Sequence, residues 1–415
     1  SGVPVSRIAA ITFTEKAASE LAERVRKRIE ASEAAAKTEE QRAVFTTALK
    51  ELDQAAIQTL HSFARRLLSL YPLEAGLPPR VALRDDVEAS LAFDDRWARF
   101  RDRLLDDPET ERVLLRGLTT GLRLRDLEAV AESFNQNWDR LEDIALPAAA
   151  EPALNPERVL DPLRELAAMR RPGVDDSLTK RLDSVEPWLA GLDGLSKALR
   201  ASNGDKRDAL ELDLVRILAK MPQLAGTTSH GGNVGNSRYW SDIAGARQLL
   251  MEAEEARGAM LDGTRSWVLC ELLPRLSRFV LEGAQERRRN GELEFHDLLV
   301  LARDLLRTRP DVRRALHERF PRILIDEFQD TDPLQVELAA LLAHSGEQGP
   351  VSWDQAATEA GRLFFVGDPK QSIYRFRRAD IELFKRARGA FAARHVPLSK
   401  NFRCRPGIID WVNLV

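Results

Sequence analysis

Residues 322–332 read Arg-Ile-Leu-Ile-Asp-Glu-Phe-Gln-Asp-Thr-Asp, so an apolar, strand-like run ends abruptly in the adjacent carboxylates Asp326 and Glu327. A short Leu/Ile run suits a buried strand of a parallel sheet, and ligands of open α/β sheets collect at the carboxyl ends of the strands. There Asp326 can hold a Mg²⁺ ion through water, and Glu327 can polarise the water that attacks a γ-phosphate. The stretch favours nucleotide hydrolysis, although an isolated pair of acids also occurs in helix caps and on solvated faces.

The composition of the chain is that of a soluble globular protein. Its 415 residues are enough for two or three domains, and 44% are hydrophobic and 31% charged. No apolar run approaches the ~20 residues that span a bilayer, and the N-terminus lacks the pattern of a signal peptide. We therefore expect a cytoplasmic protein with no membrane partner. Cys270 and Cys404 stand far apart and support neither a disulfide framework nor a metal site.

The net charge of −3 gives the chain no global attraction for nucleic acid. Any DNA contact must therefore depend on local basic patches, and most such runs are simply solvated helix faces. The candidate patches are residues 24–28, 65–66, 287–289 and 375–378.

Two segments with α/β character flank a long helical region. The first segment has a strand-like run at residues 7–11, then a helix for which Thr14 is the expected N-cap, and a second helix that begins near Thr59. The second segment contains the apolar run 323–325 and a further run, Leu363–Val366. We expect these runs to be strands of one sheet.

The region between these segments, residues 85–290, is rich in Leu, Ala, Arg and Glu at helical spacing and contains no recognisable catalytic or ligand-binding motif. Breaks in the spacing fall at residues 146–156 and 226–237, and we expect Trp240 and Trp267 in the core. The sequence therefore predicts an α/β fold with a parallel sheet, interrupted by a large all-helical insertion of about 200 residues, which is the size of a domain.

The most specific stretch of the chain is residues 367–378, Gly-Asp-Pro-Lys-Gln-Ser-Ile-Tyr-Arg-Phe-Arg-Arg. The side-chain amide of Gln371 can donate and accept hydrogen bonds, so it can contact a phosphate oxygen and the attacking water together. Tyr374, Phe376 and Arg377 interleave aromatic faces with a cation, which is typical of single-stranded DNA binding. The alternative is that both aromatic residues belong to the core.

In their order along the chain, these motifs resemble those of the UvrD/Rep/RecB group of superfamily-one DNA helicases. The spellings DEFQDTDPLQ at residues 326–335 and GDPKQSIYRF at 367–376 look closer to the RecB and AddA branch. The resemblance covers residues 7–75 and 293–413 by motif, whereas the helical insertion matches only by place and size. It implies a RecA-like P-loop NTPase motor domain that uses ATP and Mg²⁺ and binds DNA.

The resemblance also implies which residues contact DNA. The element that begins at Thr12 resembles TFT-x-x-AA-x-E-M, with Leu for its Met, and implies that Phe13 faces a base and Thr12 or Thr14 a phosphate. The element that begins at Thr59 resembles T-x-H-S-F and implies that Thr59 and His61 lie near the DNA backbone. Tyr374, Phe376 and Arg377 complete the implied DNA contacts.

Residues 398–406 resemble the element that opens the second motor domain of the family. Phe402 matches a position that stacks on adenine, and Arg403 matches an arginine finger for the γ-phosphate. A guanidinium suits that task because it stays charged and bonds phosphate in two places. The chain departs from the family at Arg378, where Gly is usual.

No Gly-x-x-x-x-Gly-Lys-Ser/Thr loop occurs in the 415 residues, so the backbone cradle and lysine for a triphosphate are missing. In the family this loop lies shortly before the TFT element, so we expect that the chain begins downstream of it. We also expect that it stops within the second motor domain and is inactive alone. Residues 38–44 resemble the family's adenine-reading glutamine element in the wrong place, and we interpret them as an ordinary helix.

We interpret the chain as a fragment of an ATP-dependent DNA helicase or translocase of double-strand-break repair and recombination. The resemblance implies 3′-to-5′ movement on single-stranded DNA, loading at duplex ends, and partnership with a second helicase–nuclease subunit. The alternatives are a UvrD-type repair helicase and a non-catalytic DNA-binding scaffold, against which the intact acids, Gln371 and Arg403 argue. The expected domains are residues 1–84 and 291–395 as two segments of the motor domain, 85–290 as the helical insertion, and 396–415 as the start of a second motor domain.

Overall fold

The computed structural model describes residues 2–171, 173–224, 234–344, 346, 353–372, 381–390, 396 and 404–414. The chain divides into two compact units. The first consists of residues 1–85 and 287–415, and the second of residues 86–286. We refer to them as the sheet unit and the helical unit.

All strands of the described residues lie in the sheet unit and pair in parallel. They are β1 (Ile8–Thr12), β2 (Ala56–Thr59), β3 (Ala82–Leu83), β4 (Glu292–Leu293), β5 (Arg322–Ile325) and β6 (Leu363–Phe365). β3 and β4 form a separate pair, and the four others form one sheet in the order β2-β1-β5-β6. Since all four run in the same direction, their carboxyl ends share one edge.

The helices follow in chain order. The first segment of the sheet unit contains α1 (Glu15–Ala34), α2 (Glu39–Glu51) and α3 (Leu60–Leu70). The next helices are α4 (Asp86–Asp106), α5 (Pro108–Thr119), α6 (Leu124–Asn135), α7 (Glu157–Ala168), α8 (Ser177–Arg200), α9 (Asp205–Lys220) and α10 (Ile243–Asn290). The last segment contains α11 (Phe295–Thr308), α12 (Pro310–Arg319), α13 (Pro333–Ala343), α14 (Ile381–Ala390) and α15 (Pro406–Leu414).

Side-chain caps fix where the first helices begin. Thr14 accepts a hydrogen bond from the amide of Ala17 at 3.1 Å, which confirms it as the N-cap of α1. Thr59 caps α3 in the same way through the amide of Ser62. Thr38 caps α2, so residues 38–44 are an ordinary helix start, as predicted. Thr59 is the last residue of β2, and Thr14 lies two residues after the end of β1, so strand end and helix start are joined at the same edge of the sheet.

The core of the sheet unit is formed by apolar strand residues and the helices α3, α11 and α13. Ile11, Ile323 and Ile325 are buried in the sheet, and Phe63 packs edge-on against Phe320 with ring centroids 5.5 Å apart. α13 is buried along nearly its whole length. This packing provides a rigid base for the loops at the carboxyl edge.

The helical unit has a core of its own, formed mainly by leucines of α7, α8, α9 and α10. Trp240 and Trp267 are both buried, which confirms that they are core residues. Within the described residues of 86–286 there are helices and no strand. In the described part of the chain, no helix has the length and apolar character needed to cross a membrane. The prediction of a parallel α/β sheet interrupted by an all-helical insertion is confirmed.

Candidate active site

The structure places the sequence-predicted polar residues at the carboxyl edge of the sheet. The amide of Asp326 donates to the carbonyl of Ile11 at 2.9 Å, so the loop after β5 starts beside the end of β1. Thr12 on β1 is in register with Thr59 on β2. On the other side of β5, the amide of Val366 donates to the carbonyl of Ile325 at 2.9 Å. The polar loops after all four strands are therefore neighbours.

The two acids after β5 are both exposed at this edge. The carboxylate of Asp326 accepts a hydrogen bond from the amide of Glu327 at 3.0 Å, so the first acid is bound to the backbone of the second. Glu327 has φ 53° and ψ 41°, and it is the one non-glycine residue with positive φ in the described part of the chain. A left-handed backbone costs a side-chain-bearing residue roughly 1–2 kcal/mol, and such strain clusters at functional sites.

Neighbouring contacts hold this strained turn in place. The amide of Phe328 donates to the carbonyl of Val366 at 2.9 Å, and its ring lies 4.1 Å from the ring of Phe365 on β6. The next residue, Gln329, is buried and donates from Nε2 to Oε2 of Glu327 at 2.6 Å. Sequence reasoning gave Gln329 no role, and no local signal pointed to it, because its partner Asp368 is distant in sequence.

The loop after β6 contains Gln371, which lies in a short 3-10 turn, Pro369–Gln371, and is exposed. Its Nε2 donates to Oδ2 of Asp368 at 3.0 Å, and the amide of Lys370 donates to Oδ1. The bond from Lys370, followed by that from Gln371, lowers the pKa of Asp368. Asp368 therefore stays ionised and fixes the Gln371 amide. The predicted DNA-contact residues Tyr374, Phe376 and Arg377 lie outside the described residues.

The hydroxyls after β1 already have partners within the chain. Thr12 is buried, and its Oγ1 donates to the carbonyl of Thr14 at 3.1 Å. The Thr14 hydroxyl serves as the cap of α1, and Phe13 is half-buried between them. A phosphate at this position would therefore meet the start of α1, whose exposed N–H groups favour anions.

Glu15 joins this element to the one after β2. Its Oε1 accepts hydrogen bonds from the hydroxyls of Thr59 and Ser62, both at 2.7 Å. These two bonds, the one from Thr59 first, lower the pKa of Glu15 and keep it charged at neutral pH. Sequence reasoning did not single out Glu15. Its position sets a negative charge beside two of the elements that were predicted to contact DNA, those that begin at Thr12 and at Thr59.

His61 is half-buried with its ring edge-on to Phe295, at a centroid distance of 5.9 Å. Burial lowers the pKa of His61, and His296 lowers it further, whereas Asp332 and Glu15 raise it. The net effect lowers the pKa of His61 from the ordinary value of about 6.5, so the imidazole is uncharged at pH 7 and above. His61 can therefore offer DNA a neutral hydrogen-bonding group and not a fixed cation.

The acids at this edge can be tested for a fit to Mg²⁺. Among the residues that the structure describes, no group of three or more His, Cys, Asp or Glu side chains could hold a metal ion. Mg²⁺ is often held by one or two carboxylates together with water and substrate phosphates, and the exposed Asp326 suits that arrangement. Phe402 and Arg403, the predicted contacts to adenine and the γ-phosphate, lie outside the described residues.

Comparison with known proteins identifies relatives over the whole chain. The family UvrD/REP helicase N-terminal domain matches residues 1–392. The chain is 26% identical to an ATP-dependent helicase/nuclease subunit of Ligilactobacillus salivarius, over 100% of this chain and 35% of that protein. It is 26% identical to the RecBCD enzyme subunit RecB of Escherichia coli, over 99% of this chain and 34% of that protein.

These matches agree with the motifs at the carboxyl edge of the sheet. The resemblance stated from the motifs and the RecA-like P-loop fold class are confirmed. The chain spans about a third of the length of the curated relatives that it matches.

Proposed function

Because the chain belongs to the UvrD/REP helicase N-terminal domain family, we propose that it forms the ATP-hydrolysing motor domain of a DNA helicase. The observation that carries this proposal is the strained acidic turn Asp326–Glu327 at the carboxyl edge of a four-stranded parallel sheet. Residues 1–84 and 291–395 are proposed as two segments of this motor domain, 85–290 as its insertion, and 396–415 as the start of a second motor domain.

We propose the following roles in catalysis. Glu327 orients and polarises the attacking water, and Asp326 holds Mg²⁺ through water. Mg²⁺, when bound, neutralises charge on the β- and γ-phosphates. Gln371 contacts the γ-phosphate, Arg403 stabilises its developing charge, and Phe402 stacks on adenine. In support, Asp326 and Glu327 are both exposed at the edge to which the Gln371 turn also belongs.

We propose that single-stranded DNA is the track. Thr12, Phe13, Thr14, Thr59 and His61 are its proposed contacts on the described part of the sheet unit, with Tyr374, Phe376 and Arg377 beyond it. The support is that the first five lie at or just after the carboxyl ends of β1 and β2, at the same edge as the acids. Hydrolysis and DNA contact at adjacent loops is the arrangement that a translocating motor needs.

The biological setting is proposed from the relatives. One of them is named as an ATP-dependent helicase/nuclease subunit, and another as the RecBCD enzyme subunit RecB. We therefore propose action at DNA ends in double-strand-break repair and recombination, 3′-to-5′ movement, and partnership with a second helicase–nuclease subunit. The proposal includes a cytoplasmic location, where ATP and chromosomal DNA meet in the bacteria that carry these relatives. A UvrD-type repair helicase is the second candidate, favoured by the family match alone.

The deciding experiment measures ATP hydrolysis by the full-length protein with and without single-stranded DNA. We expect strong stimulation by DNA, and we expect Glu327→Gln to lower turnover about 10²-fold or more while DNA binding is kept. Glu318→Gln is the matched control, because Glu318 is exposed at the end of α12, which leads into the amino end of β5.

Absence of hydrolysis in the full-length protein would favour the scaffold alternative instead. We also propose that the 415-residue chain alone hydrolyses ATP at a negligible rate, because its sequence contains no phosphate-binding loop. A DNA-stimulated rate from this chain would contradict that part of the proposal.

A further inference from the structure

Gln329 lies between the two loops that carry the proposed catalytic residues and uses both ends of its amide. Only 2% of the residue is exposed. Its Nε2 donates to Oε2 of Glu327 at 2.6 Å, and its Oε1 accepts from the amide of Asp368 at 3.0 Å. A primary amide can donate and accept at the same time, which neither a carboxylate nor an apolar side chain can do.

The backbone around Gln329 joins the same two loops. Ser372 donates from its hydroxyl to the carbonyl of Gln329 at 3.2 Å. A Cβ atom at Gly367 would lie 2.7 Å from Oε1 of Gln329 and 3.1 Å from the amide nitrogen of Phe328. Gly367 is therefore the residue that leaves room for the Gln329 side chain to reach across. The loop after β5 and the loop after β6 are interlocked at this point.

This interlock matters because Glu327 is exposed and has a long side chain. A free glutamate side chain loses up to about 2 kcal/mol of rotamer entropy when it is fixed in one orientation. A hydrogen bond from a buried, anchored amide fixes that orientation during folding, before any nucleotide binds. Correct orientation of a reacting group can account for a large part of a rate enhancement.

We propose that Gln329 is a positioning residue for hydrolysis: its amide holds the Glu327 carboxylate toward the attacking water and couples it to the loop that carries Gln371. The inference rests on the proposed function. It goes beyond that proposal because it makes the orientation of the base depend on the position of the loop after β6. A movement of that loop would reach the Glu327 carboxylate through the Gln329 side chain.

The test compares two substitutions in the full-length protein. Gln329→Met keeps the length of the side chain and removes both polar ends. We expect it to lower kcat for DNA-stimulated ATP hydrolysis about 10- to 100-fold, as loss of a supporting hydrogen bond does at other sites, with KM for ATP changed less than about threefold.

Gln329→Glu keeps an acceptor for the amide of Asp368 but sets a second carboxylate against Glu327. Two carboxylates at hydrogen-bonding distance cannot both ionise easily. We therefore expect the acid limb of the plot of kcat against pH to move to higher pH, by about one pH unit or more. A merely structural role would lower stability in both variants and leave this limb in place.

Two controls complete the test. Gln54→Met makes the same change at an exposed residue in the turn before β2, and we expect wild-type kinetics. Gly367→Ala should reproduce the kcat loss of Gln329→Met, because it displaces Oε1 of Gln329.

Wild-type kcat in Gln329→Met, or an unchanged acid limb in a folded Gln329→Glu, would overturn the inference. If Gln329→Met fails to fold, the kcat of Gly367→Ala decides, since that substitution displaces Oε1 of Gln329 and leaves the residue itself unchanged. If the wild-type protein shows no hydrolysis, the proposed function falls first and the inference with it.

Discussion

At the scale of single residues, Glu327 combines an expected role with an unfavourable backbone. Its φ of 53° is costly for any residue with a Cβ atom, whereas glycine adopts it freely. The strain persists because Phe328 and Gln329 anchor the chain directly after it. We infer that the left-handed backbone at Glu327 lowers the folding stability of the protein and in return sets the direction of the Glu327 carboxylate.

A pair of substitutions separates the strain from the carboxylate. Glu327→Ala and Glu327→Gly both remove the carboxylate, but only glycine relieves the left-handed backbone. We therefore expect Glu327→Gly to be more stable than Glu327→Ala by about 1 kcal/mol, measured as a difference in the free energy of unfolding in urea. Equal stability of the two variants would mean that the turn is not strained at this position.

Glu15 is the second residue whose position has a functional consequence. It is charged and accepts hydrogen bonds from Thr59 and Ser62, so it competes with a phosphate for the same hydroxyls. Glu15→Gln keeps an acceptor oxygen and removes the charge. We expect it to bind single-stranded DNA about two- to fivefold more tightly at moderate salt, as judged by fluorescence anisotropy.

The matched control for Glu15 is Glu23→Gln on the same helix. Glu23 is paired with Lys27 at 2.6 Å on the exposed face of α1. Its substitution should leave DNA affinity unchanged. An equal gain in both variants would indicate a general charge effect and would remove Glu15 from the DNA-contact surface.

The sequence was sufficient for the residues whose chemistry is local. Asp326 and Glu327 follow an apolar run, and Thr14 precedes a helical stripe, so neighbours in sequence determine their positions. Gln329 and Glu15 could not be predicted, since their partners Asp368 and Thr59 are brought near by the order of the strands. That order is a long-range property that periodicity does not encode.

At the scale of elements, the strands and the helical insertion were predictable because apolar spacing reports burial. The buried ion network of the helical unit was not. Arg116 on α5 is 1% exposed, donates to Glu211 on α9 at 2.7 Å, also pairs with Glu151, and lies over the ring of Trp267 at 5.3 Å. In the sequence, Arg116 looks like any other arginine of a charged helix.

Removal of Arg116 should show how much this network contributes to the stability of the helical unit. Arg116→Met leaves Glu211 with Arg207, at 2.9 Å, as its remaining cation, and we expect a loss of about 2 kcal/mol from the stability of the helical unit. Hydrogen exchange of the α5 and α9 amides measures this loss. The double variant Arg116→Met, Glu211→Met should lose less than the sum of the two single variants, because the two residues share one buried ion pair and each single variant already removes it.

Simple additivity in that cycle would contradict the network. The control is Arg125→Met on α6, because Arg125 is an exposed residue of the same unit. It should change stability by no more than about 0.5 kcal/mol.

At the scale of the whole molecule, charge is nearly balanced, with 62 basic and 65 acidic residues. The structure shows how the basic patches at 24–28 and 287–289 are used. Arg26 pairs with Asp53 at 2.6 Å, and Lys27 pairs with Glu23. Arg287 forms a buried two-point bond with Asp297, and Arg288 donates to the carbonyl of Ala75. Arg26, Lys27 and Arg287 are therefore paired with carboxylates within the chain, and Arg288 is bound to a backbone carbonyl.

This balance predicts how DNA binding by the 415-residue chain depends on salt. The proposed contacts on the described residues are uncharged, and His61 is neutral because burial lowers its pKa. The one cation among the proposed contacts is Arg377, and Arg375 and Arg378 stand beside it in the candidate basic patch 375–378, which gives at most three cations for the phosphates. Since each phosphate contact on a single strand contributes about −0.7 to the slope of log K against log salt, we expect a slope near −2 between about 50 and 200 mM salt.

Arg377→Gln should make the slope shallower by about 0.7, whereas Lys27→Gln should leave it unchanged. A slope steeper than about −4 would mean that the paired basic patches open to bind DNA, and that stacking and hydroxyl contacts are not the main part of the interface.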